Sequence, residues 1–144
     1  MQNKNRGYTL IELLMTIAII GILSAIIVPR LNSAKDKGAD ALVKTNVSNI
    51  ASQAEIVFDN TGDYDAVCDD VSILSALQTA SEKATGVTTN FVCNDRAENW
   101  AAAVQLSEGD QFNSSSGVDF WCIDNAGQTQ LRDTQLVVNT DYSC

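Results

Sequence analysis

Histidine is missing from all 144 residues. That removes the commonest general base and every zinc site of mixed Cys/His type. The four cysteines, Cys68, Cys93, Cys122 and Cys144, include no C-x-x-C pair, since their spacings are 25, 29 and 22. A four-thiolate zinc site therefore lacks its usual close pairs as well. There is no G-x-G-x-x-G, no phosphate-binding P-loop, no G-x-S-x-G and no H-E-x-x-H, so the common nucleotide, hydrolase and metalloprotease signatures are absent. Cations are scarce, with 9 Lys+Arg against 18 Asp+Glu and a net charge of −9. Setting Lys4 and Arg6 aside leaves −9 − 2 = −11 on the rest. So acidic a body repels phosphates, which argues against nucleic acid as a direct ligand. Neither a cofactor nor a catalytic residue is expected, and the chain is read as a non-enzyme. The cluster Asp63, Asp65, Asp69 and Asp70 reads as a solvated acidic loop. Calcium needs six to eight oxygens, and the D-x-D at Asp63 and Asp65 lacks an EF-hand continuation. No metal site is expected.

What the chain does have is a long apolar run. Residues 13–28, LLMTIAIIGILSAIIV, carry no charge, and one carboxylate, Glu12, stands at their head. A helix from Tyr8 to Val28 is ~31 Å long, enough to cross a hydrocarbon core of ~30 Å. The residues at its end, Ser24 to Ile27, make no convincing signal-peptidase site. The helical pattern instead continues. Ala39, Val43, Val47, Ile50, Ala54 and Val57 recur at intervals of 4, 4, 3, 4 and 3, one face of a helix. Asn60-Thr61-Gly62 supplies the stop. Pro29 and Gly38 loosen the helix at two places. The reading is one helix from about Tyr8 to about Asn60, ~80 Å long, apolar all round in its first half and amphipathic in its second. Lys4 and Arg6 place the N-terminus in the cytoplasm. Arg30, Lys35 and Lys37 compete with that orientation.

Four cysteines behind such a segment read as two disulfides in an oxidising compartment, which breaks the tie and puts the body outside. Of the three possible pairings, Cys68–Cys93 with Cys122–Cys144 is preferred, because each closes a short loop worth ~3 kcal/mol. The second would pin the C-terminal residues to a strand.

The body, from residue 62 to 144, is expected to open with a polar loop and a short helix over Asp69–Lys83, with Val71, Leu74 and Leu77 on its buried side and Ile73 as a further candidate there. Strand-like alternation follows in Val87–Cys93, Trp100–Leu106 and Val118–Cys122, with Asp124-Asn125-Ala126-Gly127 as a hairpin turn into Gln128–Arg132. Leu136–Val138 is a candidate last edge strand, and Ser107–Gly117 a flexible loop. Trp100 and Trp121 are read as core or sheet-face residues rather than ligand platforms. The fold class is α+β: a long helix packed on a small antiparallel sheet stapled by two disulfides, with one sheet face to bury.

Glu12 admits two readings. In the first turn of a helix the dipole favours an anion, so it is a local cap. Alternatively, an intramembrane carboxylate is a functional group that needs a cation. A cut after Gly7 would supply one, the new α-amine of Tyr8.

At this point the residues carry a resemblance. Lys4-Asn5-Arg6-Gly7 before Tyr8-Thr9-Leu10-Ile11-Glu12-Leu13-Leu14 resembles the class III signal of type IV prepilins, with Gly21 and Pro29 where that family commonly loosens its helix. The resemblance implies a leader of residues 1–7, a helix over 8–61 with 8–28 as membrane span and filament core, and a head over 62–144. It implies cleavage after Gly7 by a prepilin peptidase, methylation of Tyr8, and Glu12 as the assembly carboxylate. The family more often has Phe at the position of Tyr8. Implied partners are the lipid bilayer, the membrane assembly machinery and other pilin subunits. Implied locations are the cytoplasmic membrane first and an extracellular filament afterwards, serving adhesion, twitching motility or DNA uptake. Two other readings stand beside this one. One is a pseudopilin of a type II secretion system. The other is a membrane-anchored extracytoplasmic binding domain with an uncleaved anchor.

Overall fold

The structure is a computed structural model that describes residues 7–107 and 117–144. Lys4, Arg6 and all but the ends of the expected Ser107–Gly117 loop lie outside the described residues. The element order is α1 (Leu10–Thr61), α2 (Val71–Thr85), β1 (Phe91–Arg96), β2 (Asn99–Gln105), β3 (Phe120–Asp124) and β4 (Thr129–Arg132). The chain divides into two compact units, Met1–Lys35 and Asp36–Cys144.

The first unit holds the apolar part of α1. Every described side chain in it is exposed, including Leu10, Leu13, Ile17, Ile20, Leu23 and Ile27. Helix α1 is the one helix among the described residues long and apolar enough to cross a membrane. Pro29 and Gly38 lie inside the helix without ending it.

In the second unit, the expected face of α1 is the buried one. Val43, Val47, Ile50 and Ala54 are at most 1% exposed, and burying each larger side chain contributes about 1.5–3 kcal/mol. Helix α1 stops at Gly62, whose φ of 88° suits glycine, and whose N–H donates to the Phe58 carbonyl at 2.7 Å. Helix α2 starts where the Asp70 side chain accepts from the N–H groups of Ser72 and Ile73. It ends at Gly86 in the left-handed region. Its buried residues are Ile73, Leu77, Ala80 and Ser81. The expectation for Val71 fails: it sits in the first turn and is 81% exposed. The inward stripe runs 73–77–80, which keeps the expected Ile73 and Leu77 and leaves Leu74 half-buried.

The four strands form an antiparallel meander in the order β1-β2-β3-β4. The strand expected from Val87 begins only at Phe91, and the one expected from Val118 begins at Phe120. Strand β2 is buried from Trp100 to Val104, on both faces. Trp100, Ala102 and Val104 join α1, α2 and Ile123 in one core. Ala101 and Ala103 join Val92, Phe120, Cys122 and Leu136 in a second. The expectation of a single buried face is therefore corrected. The reason is the segment after β4, which folds back over the far face instead of forming an edge strand. Leu136 is 3% exposed there, and residues 136–138 are not strand.

Each face has its own disulfide. Cys93 pairs across the sheet with Ala102, on the helix-covered face, and is bonded to Cys68. Cys122 pairs with Ala103, on the far face, and is bonded to Cys144. This is the pairing preferred from loop length.

Candidate functional site

The amino-terminal turn carries most of the sequence-derived functional residues. Gly7 and Tyr8 precede the helix and are exposed, Tyr8 at 92%. A side-chain carbon placed on Gly7 would meet nothing within 4 Å. The fold itself thus makes no demand for glycine at that position.

Thr9 is the N-cap, since its carbonyl accepts the Leu13 N–H at 3.2 Å. Glu12 bonds back to it. The Thr9 N–H and the Thr9 hydroxyl both donate to Glu12 Oε2 at 2.8 Å, and the Glu12 N–H donates to Thr9 Oγ1 at 3.3 Å. This is a reciprocal capping box, which satisfies two of the helix's unpaired N–H groups. The T-x-x-E spacing that forms it, Thr9 to Glu12, was legible in the sequence. Thr9 is the residue that sequence reasoning passed over, because attention went to the charge rather than to its short polar neighbour. Gly21 and Pro29 lie farther along α1, about two and a half turns or more from this site.

The acidic loop ahead of α2 is held by local bonds. Asp63 Oδ1 accepts the Asp65 N–H at 3.2 Å. Asp95, on β1, accepts the Cys68 N–H at 2.8 Å. Burial, then the nearby charges of Asp69 and Asp65, push the Asp95 carboxyl above its ordinary value. Among the described residues no group of three Asp, Glu, Cys or His could hold a metal ion. The hollow beside this loop, about 270 Å³ and open, is lined by Val57, Asn60, Thr61, Ala66, Asp69 and Asp70. Trp100 is wholly buried. Trp121 is half-buried under Lys44, whose Nζ lies 4.9 Å from the ring centre.

The segment carrying Cys144 is clasped by polar side chains as well as by its disulfide. Asn94, 1% exposed, donates to the carbonyls of Val137 and Asp141 at 2.9 and 2.8 Å. Its own carbonyl accepts the Asn139 N–H at 2.9 Å. Asp124 accepts the N–H groups of Ala126 and Gln128 in the β3–β4 turn and that of Cys144 at 2.9 Å. Arg132 pairs with Asp141 at 3.8 Å.

Residues 2–28 match a family profile described as the prokaryotic N-terminal methylation motif. That matched stretch includes Gly7, Tyr8 and Glu12. Two curated relatives are similar to part of the chain. One is the type IV major pilin protein PilA of Myxococcus xanthus (strain DK1622), 36% identical over 61 residues, which is 42% of this chain and 28% of that one. The other is the type II secretion system core protein G of Dickeya chrysanthemi, 30% identical over 56 residues, 39% of this chain and 37% of that one. The chain thus matches 28% of the one relative's length and 37% of the other's. No solved structure matches it.

Proposed function

We propose that the chain is a structural subunit of a type IV pilus, made as a membrane-anchored precursor and polymerised through its apolar helix. The observation that carries this reading is the first unit. A capped helix with every described side chain exposed, and an uncharged, mostly apolar run from Leu13 to Val28, is stable only in lipid or against copies of itself. A methylation motif covers that same stretch.

The proposed sequence of events follows from the turn at residues 7–12. A prepilin peptidase cuts the exposed Gly7–Tyr8 bond, removing residues 1–7, and Tyr8 is methylated. The capping box survives the cut, because the Thr9 N–H remains an amide within the Tyr8–Thr9 peptide. The new amine stands one residue before the N-cap and is cationic. Both Thr9 bonds fall on Glu12 Oε2, so Oε1 is the oxygen offered to the amine of a neighbouring copy. In this reading the local cap and the assembly role belong to the same carboxylate. Gly21 and Pro29 serve as helix-loosening positions during packing. The head, residues 62–144, is carried to the filament surface outside the cell.

Mass spectrometry of the mature protein tests the processing step, and a methylated Tyr8 at the N-terminus is the expected result. A mature chain that still begins at Met1 would overturn it and favour an uncleaved anchor. The second reading, a pseudopilin, draws support from the 30% identity to the secretion-system core protein. Electron microscopy of sheared cells separates the two: long surface filaments containing this chain are expected for a pilin and not for a pseudopilin.

A further inference from the structure

We propose that Arg30, Lys35 and Lys37 form a cationic band that binds the anionic headgroups of the leaflet from which α1 emerges, and so sets the depth at which a subunit waits in the membrane. The inference rests on the membrane reading above. Its starting point is uneven charge. Residues 30–37 hold three cations and one anion, 3 − 1 = +2. Residues 38–144 hold four cations and sixteen anions, 4 − 16 = −12. A third of the chain's nine cations thus sit in eight residues, directly after the uncharged run that ends at Val28.

No described residue forms an ion pair with any of them. All three are exposed. Among the described residues the one ion pair is Arg132 with Asp141. Asp36, the neighbour of both lysines in sequence, points elsewhere, because adjacent residues on a helix do not face each other. Cations at this place run against the usual bias of positive charge toward the cytoplasm.

Position supplies the partner. Along the helix, Arg30 lies ~3 Å beyond Val28, Lys35 ~10 Å and Lys37 ~14 Å. The headgroup zone is ~5–8 Å deep on each side of the hydrocarbon, and long basic side chains reach back toward it. Attraction at the band holds the helix at one depth.

The test uses the full chain in nanodiscs of zwitterionic phospholipid alone or with a fraction of phosphatidylglycerol, read by hydrogen exchange of the amides around residues 31–37. Each cation beside an anionic surface gains about fivefold, so a net +2 gives about thirtyfold slower exchange with phosphatidylglycerol at low salt. The difference should vanish at high salt and in the Arg30→Gln, Lys35→Gln, Lys37→Gln triple variant. Equal exchange in both lipids, with the chain still inserted, would overturn the band and leave the membrane reading standing. Failure of the chain to enter either disc would overturn the membrane reading itself. Slowing that follows the number of copies per disc rather than lipid charge would assign the band to the acidic residues of a second copy, and would equally overturn the proposal.

Discussion

Replacing Glu12 by alanine separates its cap from the proposed assembly role by magnitude. As a capping-box member, Glu12 holds the Thr9 N–H and hydroxyl at 2.8 Å. Losing a cap costs about 0.5–2 kcal/mol, and losing an anion from the first turn about 0.3–1 kcal/mol. Both losses fray one turn and leave the rest of α1 intact. Insertion itself becomes easier by about 2–3 kcal/mol, since a charge leaves an apolar segment. Assembly is different. A Tyr8 amine packed among helices without its anion is a stranded buried charge, and breaking such a pair costs about 3–5 kcal/mol. That is a factor of roughly a hundred to several thousand at each subunit contact. Glu12→Ala should therefore be inserted and cleaved normally, accumulate in the membrane fraction, and be nearly absent from sheared filaments. The control is Thr9→Ala, which removes the cap and keeps the carboxylate; it should assemble at close to the wild-type level. Immunoblots of the membrane and sheared fractions read both variants. Abundant filaments from Glu12→Ala would refute the assembly role and reduce Glu12 to a cap.

The remaining predictions concern the head. A non-reducing digest should yield one cross-linked peptide pair containing Cys68 and Cys93 and another containing Cys122 and Cys144; recovery of Cys68 joined to Cys144 would reject the pairing. Asn94→Ala removes three hydrogen bonds to the segment after β4, each worth about 0.5–1.5 kcal/mol. It should lower head stability by about 2–4 kcal/mol and speed hydrogen exchange in residues 136–144. An exchange pattern unchanged there would show that the disulfide alone holds the segment. Asp95 has a folded pKa raised above its ordinary value of 3.8, so its ionisation opposes folding, and that penalty fades as pH falls through the folded value. Asp95→Asn keeps an acceptor for the Cys68 N–H and should raise the melting temperature at neutral pH, with the gain shrinking toward pH 4; a gain that grows on acidification would contradict the sign.

Much of this molecule was determined locally. The apolar run at 13–28 and the three-four spacing of Val43, Val47, Ile50 and Ala54 define α1, because a helix face is written in consecutive turns. Loop length was enough to rank the cysteine pairings. Within the amino-terminal site, Gly7, Tyr8 and Glu12 were all legible as candidates, and T-x-x-E held the cap in plain sight. What the tertiary structure alone decided lies in contacts across many residues. Asn94 clasps Val137, Asn139 and Asp141 over separations of 43 to 47, and Asp124 bonds the Cys144 N–H from 20 residues away. In a sequence these are polar residues beside strands, indistinguishable from solvated ones. Their roles exist only once the segment after β4 lies on the far face of the sheet. That same fold-back buries Leu136 and turns β2 into a strand covered on both sides, which alternation along a single strand does not encode. Periodicity reports which side of an element seeks cover; it does not report which remote segment arrives to supply it.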